Sequence, residues 1–218
     1  MHEISDETIA SMIDHTLLKP DTSGAQVAEA CEAAISKGFA AVCVPPSLVG
    51  VAASALAGSA VKPCTVIGFP MGYTTTAVKA FEARDAAANG ARELDMVLAV
   101  SELKADNTDR VRDDIAAVVA AAPDCTIKVI LETCLLEDDE KRTACRLVVE
   151  AGAHFVKTST GLAGGGATVE DIRLLRKTVG PEFGVKASGG IRTLKHATAM
   201  MEAGATRLGT SSALAFLP

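Results

Sequence analysis

Ala151-Gly152-Ala153-His154-Phe155-Val156-Lys157-Thr158-Ser159-Thr160-Gly161 is the stretch on which the fold turns. It follows an Ala-containing segment of helical length, passes one glycine, enters a short β-type run and ends in a small polar loop. The helix-glycine junction recurs at Lys37-Gly38-Phe39, Asn89-Gly90-Ala91 and Ala203-Gly204-Ala205. Glycine just past a helix tolerates the left-handed conformation that closes a helix C-terminus. Working outward, β-type runs lie at Ile13 to Thr16, Ala40 to Val44, Cys64 to Phe69, Glu93 to Val97, Thr126 to Leu131, Phe155 to Thr158, Phe183 to Ala187 and Arg207 to Gly209. The first is very short and the third runs into Gly68-Phe69-Pro70, so these two fit the pattern least well. Segments with i, i+3, i+4 apolar spacing lie between, as at Ala25 to Lys37, Thr74 to Asn89, Asp109 to Ala121, Asp138 to Glu150 and Leu194 to Ala203. Eight strand starts at a period of roughly 24 to 33 residues predict a (β/α)8 TIM barrel rather than an open doubly wound sheet. No G-x-G-x-x-G follows the first strand, which also speaks against the open sheet.

The chain has 218 residues, 49% hydrophobic and 22% charged, enough for one sizeable core and short for two ordinary domains. The expectation is a single domain over residues 1–218. A net charge of -6 and 3% aromatic residues leave neither a basic surface for phosphate backbones nor a row of stacking rings, which argues against nucleic acid. Early residues Glu3, Asp6, Glu7 and Asp14 do not make a secretory signal. The longest small apolar run, Val51 to Val61, is far below the roughly 18 residues of a membrane span. A cytoplasmic location, with no membrane partner, is therefore expected. Six cysteines (Cys31, Cys43, Cys64, Cys125, Cys134, Cys145) make no C-x-x-C pair and read mostly as small reduced core residues. The four histidines (His2, His15, His154, His196) make no H-E-x-x-H pattern, so no metal site is expected.

The chemistry-bearing anomalies sit where a barrel presents its active site, at the C-terminal ends of the strands. Lys157 and Lys186 each end an apolar run, and Lys128 lies earlier in another. Any one of them reads as a buried salt bridge or a side chain reaching for the rim. Two lysines on neighbouring strands, each followed by a small polar loop, also read as an amine prepared to attack a carbonyl, since a nearby cation and desolvation both lower a lysine pKa. Asp95 shares a strand face with Glu93 and Val97, and reads either as a counter-ion or as a proton shuttle. Glu132 is a weaker carboxylate of this kind. Asp14, at the end of the first strand, reads equally as part of a helix-capping turn. Three loops suit an anion: Thr158-Ser159-Thr160-Gly161, Ser188-Gly189-Gly190-Ile191-Arg192 and Gly209-Thr210-Ser211-Ser212. Ala163-Gly164-Gly165-Gly166 reads as a mobile loop tip.

Together these residues resemble the deoxyribose-phosphate aldolases, a family of class I aldolases. The resemblance runs through Ile13-Asp14-His15-Thr16-Leu17-Leu18, Val42-Cys43-Val44, Val66-Ile67-Gly68-Phe69-Pro70, Glu93-Leu94-Asp95-Met96-Val97 and Lys128-Val129-Ile130-Leu131-Glu132-Thr133. Its most specific parts are Phe155-Val156-Lys157-Thr158-Ser159-Thr160-Gly161 and Val185-Lys186-Ala187-Ser188-Gly189-Gly190. It implies cleavage of 2-deoxy-D-ribose 5-phosphate to acetaldehyde and D-glyceraldehyde 3-phosphate, without a cofactor. It further implies a Schiff base on Lys157, proton transfer by Asp95, and assistance from Lys186. Thr160, Gly161, Ser188, Gly189, Gly190, Gly209, Ser211 and Ser212 are the expected substrate and phosphate contacts. Two departures stand out: Leu162 where some members carry lysine, and an end at Leu217-Pro218 where some carry a tyrosine-bearing tail, Tyr73 being the only tyrosine.

A transaldolase-like or fructose-bisphosphate aldolase would share the lysine and take longer ketose phosphates. A phosphate-binding isomerase would need no covalent step, and a noncatalytic sugar-phosphate sensor would carry the cost of buried lysines without using them. A metal-dependent aldolase lacks its histidine cluster. A homodimer or larger homo-oligomer is the base expectation for such a chain.

Overall fold

Eight parallel strands close on themselves in sequence order in a computed structural model that describes residues 5–217. His2 and Glu3, weighed above, and Pro218 lie outside the described residues. The strands are β1 (Ile13–Thr16), β2 (Ala41–Val44), β3 (Lys62–Ile67), β4 (Glu93–Val97), β5 (Thr126–Ile130), β6 (Phe155–Lys157), β7 (Gly184–Ser188) and β8 (Arg207–Thr210). Closure is made by the very short first strand, which pairs with β2 on one side and β8 on the other. The third strand begins two residues earlier than its apolar run suggests and stops before Gly68.

The helices are α1 (Asp6–Ala10), α2 (Gly24–Lys37), α3 (Val49–Ala55), α4 (Thr76–Ala88), α5 (Val100–Lys104), α6 (Thr108–Ala121), α7 (Asp138–Glu150), α8 (Val169–Val179), α9 (Leu194–Glu202) and α10 (Ala213–Phe216). Several of the long ones start and stop for visible local reasons. Ser23 and Gln26 form a reciprocal capping box at the start of α2, and Thr168 and Thr193 cap α8 and α9 through their side-chain oxygens. At the other ends Gly38, Gly90, Gly152 and Gly204 have φ between 68 and 113°, as the repeated junction predicts. None of these helices is long and apolar enough to cross a membrane.

Strand alternation divides the core in two. Outward residues such as Val42, Leu94, Met96, Ile127, Val129, Val156, Val185 and Leu208 pack under the helices as one apolar shell. Inward, only Ala41, Cys43, Cys64 and Val66 form a small apolar wall, with Leu18 and Phe69 against it. Around Asp95 the barrel's inner face is ionic, with the buried apolar Val97 and Ile130 on the same faces of β4 and β5 as Asp95 and Lys128. Register brings that about: Lys157 lies opposite Lys186, Lys186 opposite Arg207, and Asp95 opposite Lys128.

Candidate active site

Asp95, in the middle of β4, is the hub. Its Oδ2 accepts from Lys157 Nζ at 2.7 Å and from Lys186 Nζ at 2.6 Å, while Oδ1 accepts from Lys128 Nζ at 2.8 Å. Cys64 Sγ donates to the same Oδ1 at 3.5 Å. Lys128 also meets Glu93 at 2.6 Å and Asp14 at 3.3 Å. Lys186 bonds Asp14 as well. Arg207 completes the network below, reaching Asp14 Oδ1 at 2.6 Å and Glu93 Oε2 at 2.9 Å, with its guanidinium over the Phe155 ring. Four cations thus face three carboxylates, nearly all of them out of water.

Burying charges without partners is costly, so here the partners decide each group's state. Burial pushes Asp95 up, but Lys128, Lys157 and Lys186 outweigh it and hold the carboxyl well below its ordinary range. Asp14 behaves likewise under Lys128, Lys186 and Arg207. Burial pulls Lys128 and Lys186 down, and their carboxylates more than reverse that, leaving both ammonium groups above the usual lysine value. For Lys186 it is Asp14 and Asp95, rather than desolvation or the neighbouring Lys128, that set the direction. Of the two readings open for Asp14, the structure favours the strand carboxylate over the capping turn: it is a fully buried residue of β1. Among the described residues Lys157 has a single ion-pair partner, and it is 5% exposed, against 0% for Lys128 and 1% for Lys186. It is the lysine nearest to being free for a substrate.

The loops at the mouth sort the expected anion contacts. Gly161 and Gly189 lie side by side, a Cβ on Gly189 falling 3.6 Å from Gly161 Cα. Among the described residues the backbone N–H groups of Gly161, Gly189, Gly190 and Ser211 have no partner. Gly209, Ser188 and Thr160 are different. Gly209 belongs to β8, where a methyl group would sit 3.1 Å from Lys186 Cε. The Ser188 hydroxyl donates to Ser159 O at 2.6 Å, inside the protein. Thr160 gives both its N–H and its hydroxyl to Glu132. Ser212 donates its N–H to Thr210 Oγ1, whose own hydroxyl donates to Ile191 O, tying loop 8 to loop 7. Gly165 and Gly166 are not a free tip. Cys134 and Gly189 leave no room for a side chain on either, and Ala167 N donates to Gly189 O at 3.0 Å.

Among the described residues two triads, Cys43 with Cys64 and Asp95, and Asp14 with Cys64 and Glu93, have donors close enough together for a metal. Lys128 Nζ already bonds Cys64, Asp95, Glu93 and Asp14, so an ammonium takes up the donors a cation would need. Cys43 is 1% exposed and is pulled below its ordinary value chiefly by the neighbouring Cys64 thiol. Cys134 is the exposed exception to the buried cysteines. A cleft of about 350 Å³ opens beside the mouth between loops 1, 2 and 3, lined by Leu18, Lys19, Pro45, Val66, Phe69 and Glu82. Lys157, Lys186 and Asp95 come together as sequence reasoning expects. It passed over Arg207, although the alternation that pairs Glu93 with Asp95 also puts Arg207 and Gly209 on one inward face.

Comparison with known proteins adds a second line. The model of the DeoC/LacD family aldolases matches residues 8–217. A deoxyribose-phosphate aldolase of Geobacillus sp. is 55% identical over 97% of this chain and 96% of its own length. One from Brevibacillus brevis is 58% identical over 94% and 93%. Among solved structures, the tetrameric deoxyribose phosphate aldolase of Aeropyrum pernix superposes with a TM-score of 0.91 at 35% identity, covering 98% of this chain and 91% of that one.

Proposed function

Because the chain belongs to the DeoC/LacD family of aldolases, we propose that it reversibly cleaves 2-deoxy-D-ribose 5-phosphate to acetaldehyde and D-glyceraldehyde 3-phosphate through a Schiff base on Lys157. The observation that carries this reading is the shared oxygen: Lys157 and Lys186 both donate to Asp95 Oδ2. One group can thereby move protons for an amine beside it while a second ammonium fixes the local charge.

In the cleavage direction Lys157 passes a proton to Asp95, its neutral Nζ attacks the C1 aldehyde of the open-chain sugar, Asp95 returns that proton to the carbinolamine hydroxyl so that it leaves as water, and an iminium forms. Asp95, directly or through a water, takes the proton from the C3 hydroxyl. The C2–C3 bond breaks, its electron pair moves to the iminium to give an enamine, and glyceraldehyde 3-phosphate departs. Protonation at C2 and hydrolysis then release acetaldehyde and the free lysine. Lysine supplies its own electron sink, so the scheme calls for no metal or cofactor. The N–H groups of Gly161, Gly189, Gly190 and Ser211 are the groups we assign to the phosphate, since unpaired glycine-rich backbone donors suit an anion. The same reading takes residues 1–218 as one cytoplasmic domain that assembles as a homodimer or larger homo-oligomer.

Incubation with acetaldehyde and borohydride, followed by peptide mass spectrometry, tests it. A reduced two-carbon adduct on Lys157 that disappears in Lys157→Ala is the expected result. Absence of any adduct, with sugar-phosphate turnover surviving Lys157→Ala, would sink the reading.

A further inference from the structure

We infer that Glu132 is a positioning residue for the phosphate side of the site, acting through Thr160 on the loop that follows Lys157. This inference rests on the aldolase reading and deepens it. Glu132 lies two residues past the end of β5, and its backbone has φ 57° and ψ 62°, one of two non-glycine residues with positive φ among those described. An L-residue with a long side chain seldom adopts that conformation without something holding it there. The residue is 3% exposed and has no lysine or arginine within salt-bridge distance among the described residues. Its donors are instead Thr160 Oγ1 at 2.5 Å, Thr160 N at 3.2 Å and, more distantly, Cys134 Sγ at 3.9 Å.

The consequence for the loop follows bond by bond. Thr133 N donates to Thr158 O, and Thr158 N to Lys186 O, so the loop after β5 rides on the loop after β6, which rides on β7. Thr160 Oγ1, while donating to Glu132, accepts from Leu162 N at 3.1 Å. Both donors of Thr160 are then spent, and the turn between them throws Gly161 to φ 85°, beside Gly189 with its N–H free. Thr160 therefore does not contact the phosphate. It is the pin by which Glu132 aims Gly161 at a phosphate monoester. Burial of the lone carboxylate and the unusual backbone are costs that a loop without such a task would not need to carry.

The test compares Glu132→Gly, Glu132→Gln and Thr160→Val with the unmodified enzyme, using 2-deoxyribose 5-phosphate and unphosphorylated 2-deoxyribose as separate substrates. Glycine accepts the backbone conformation, so Glu132→Gly removes the carboxylate without asking another side chain to fit. The expected result is a KM for the phosphorylated sugar raised about tenfold in Glu132→Gly, with the KM for 2-deoxyribose and borohydride trapping of acetaldehyde little changed. Glu132→Gln, keeping one acceptor oxygen, falls between. Thr160→Val reproduces the effect and adds little to Glu132→Gly, as members of one network do. Equal KM changes for both sugars, or a changed melting temperature with an unchanged KM ratio, would overturn the inference while leaving the aldolase reading intact. An unmodified enzyme that traps no acetaldehyde would take both down.

Discussion

A methyl group on Gly209 would stand 3.0 Å from Ser188 Cβ and 3.1 Å from Lys186 Cε, so the glycine keeps open the space that Lys186 fills. Gly209→Ala is expected to displace the ammonium by a few tenths of an ångström and to lower kcat by about tenfold, with the circular dichroism spectrum unchanged. Asp95→Asn removes the charge shared by three lysines. Turnover should fall by about 10² to 10⁴, and borohydride trapping at Lys157 would show whether imine formation or a later proton transfer is the slower step. At this scale the sequence was informative where residue type contradicted its surroundings. A lysine or aspartate inside Phe155-Val156-Lys157 or Glu93-Leu94-Asp95 violates the burial rule and draws attention. Arg207 does not stand out in this way, and Asp14 does so only as one of two open readings. Their meaning lies in partners, and Asp14 finds its partners 172 and 193 residues further along the chain.

Helices α4 and α6 are bolted together by an ion pair with no part in the proposed reaction. Lys79 Nζ, fully buried, donates to Asp114 Oδ2 at 2.6 Å and to Val97 O at 3.0 Å, while Thr76 donates to Asp114 Oδ1 at 2.8 Å. The bolt thereby reaches the end of β4, two residues past Asp95. Lys79→Met would leave Asp114 buried and unpaired, and should cost about 3 to 5 kcal/mol in urea denaturation. Lys79→Met with Asp114→Leu should recover most of that loss. Nothing in the spacing of α4 announces this, because a lysine in an Ala-rich helix reads as a solvated residue. Element existence was easier. Apolar β-type runs between glycine-marked helix ends give all eight strands to within two residues at their starts. Helices α3 and α8 were not among those singled out by periodicity. Val49–Ala55 is short and almost wholly small and apolar, so it has little polar face to reveal a period.

For the whole molecule, the ionic interior sets a pH window. Asp14 and Asp95 titrate lower in the folded protein than in the unfolded chain. Their contribution to stability is present above the ordinary carboxylate value, roughly 3.9, and is lost as pH falls below it, because the unfolded chain then takes up protons first. Lys128 and Lys186 are shifted the other way, so their contribution is complete below the ordinary lysine value, roughly 10.4, and is lost only as pH rises beyond it. Urea midpoints measured from pH 7 down to pH 3 should therefore drop steeply at the acid end, and Asp14→Asn should make that drop shallower.

The closure of β1 against β8 also bears on how the protein is made. Asp14 leaves the ribosome nearly two hundred residues ahead of Arg207, its partner at 2.6 Å. At about 5 to 20 residues per second, that is roughly 10 to 40 s during which the first strand has a carboxylate to keep hydrated and only one neighbouring strand to pair with. A nascent chain stalled before residue 207 should leave β1 open to protease, while one released past it should close and resist.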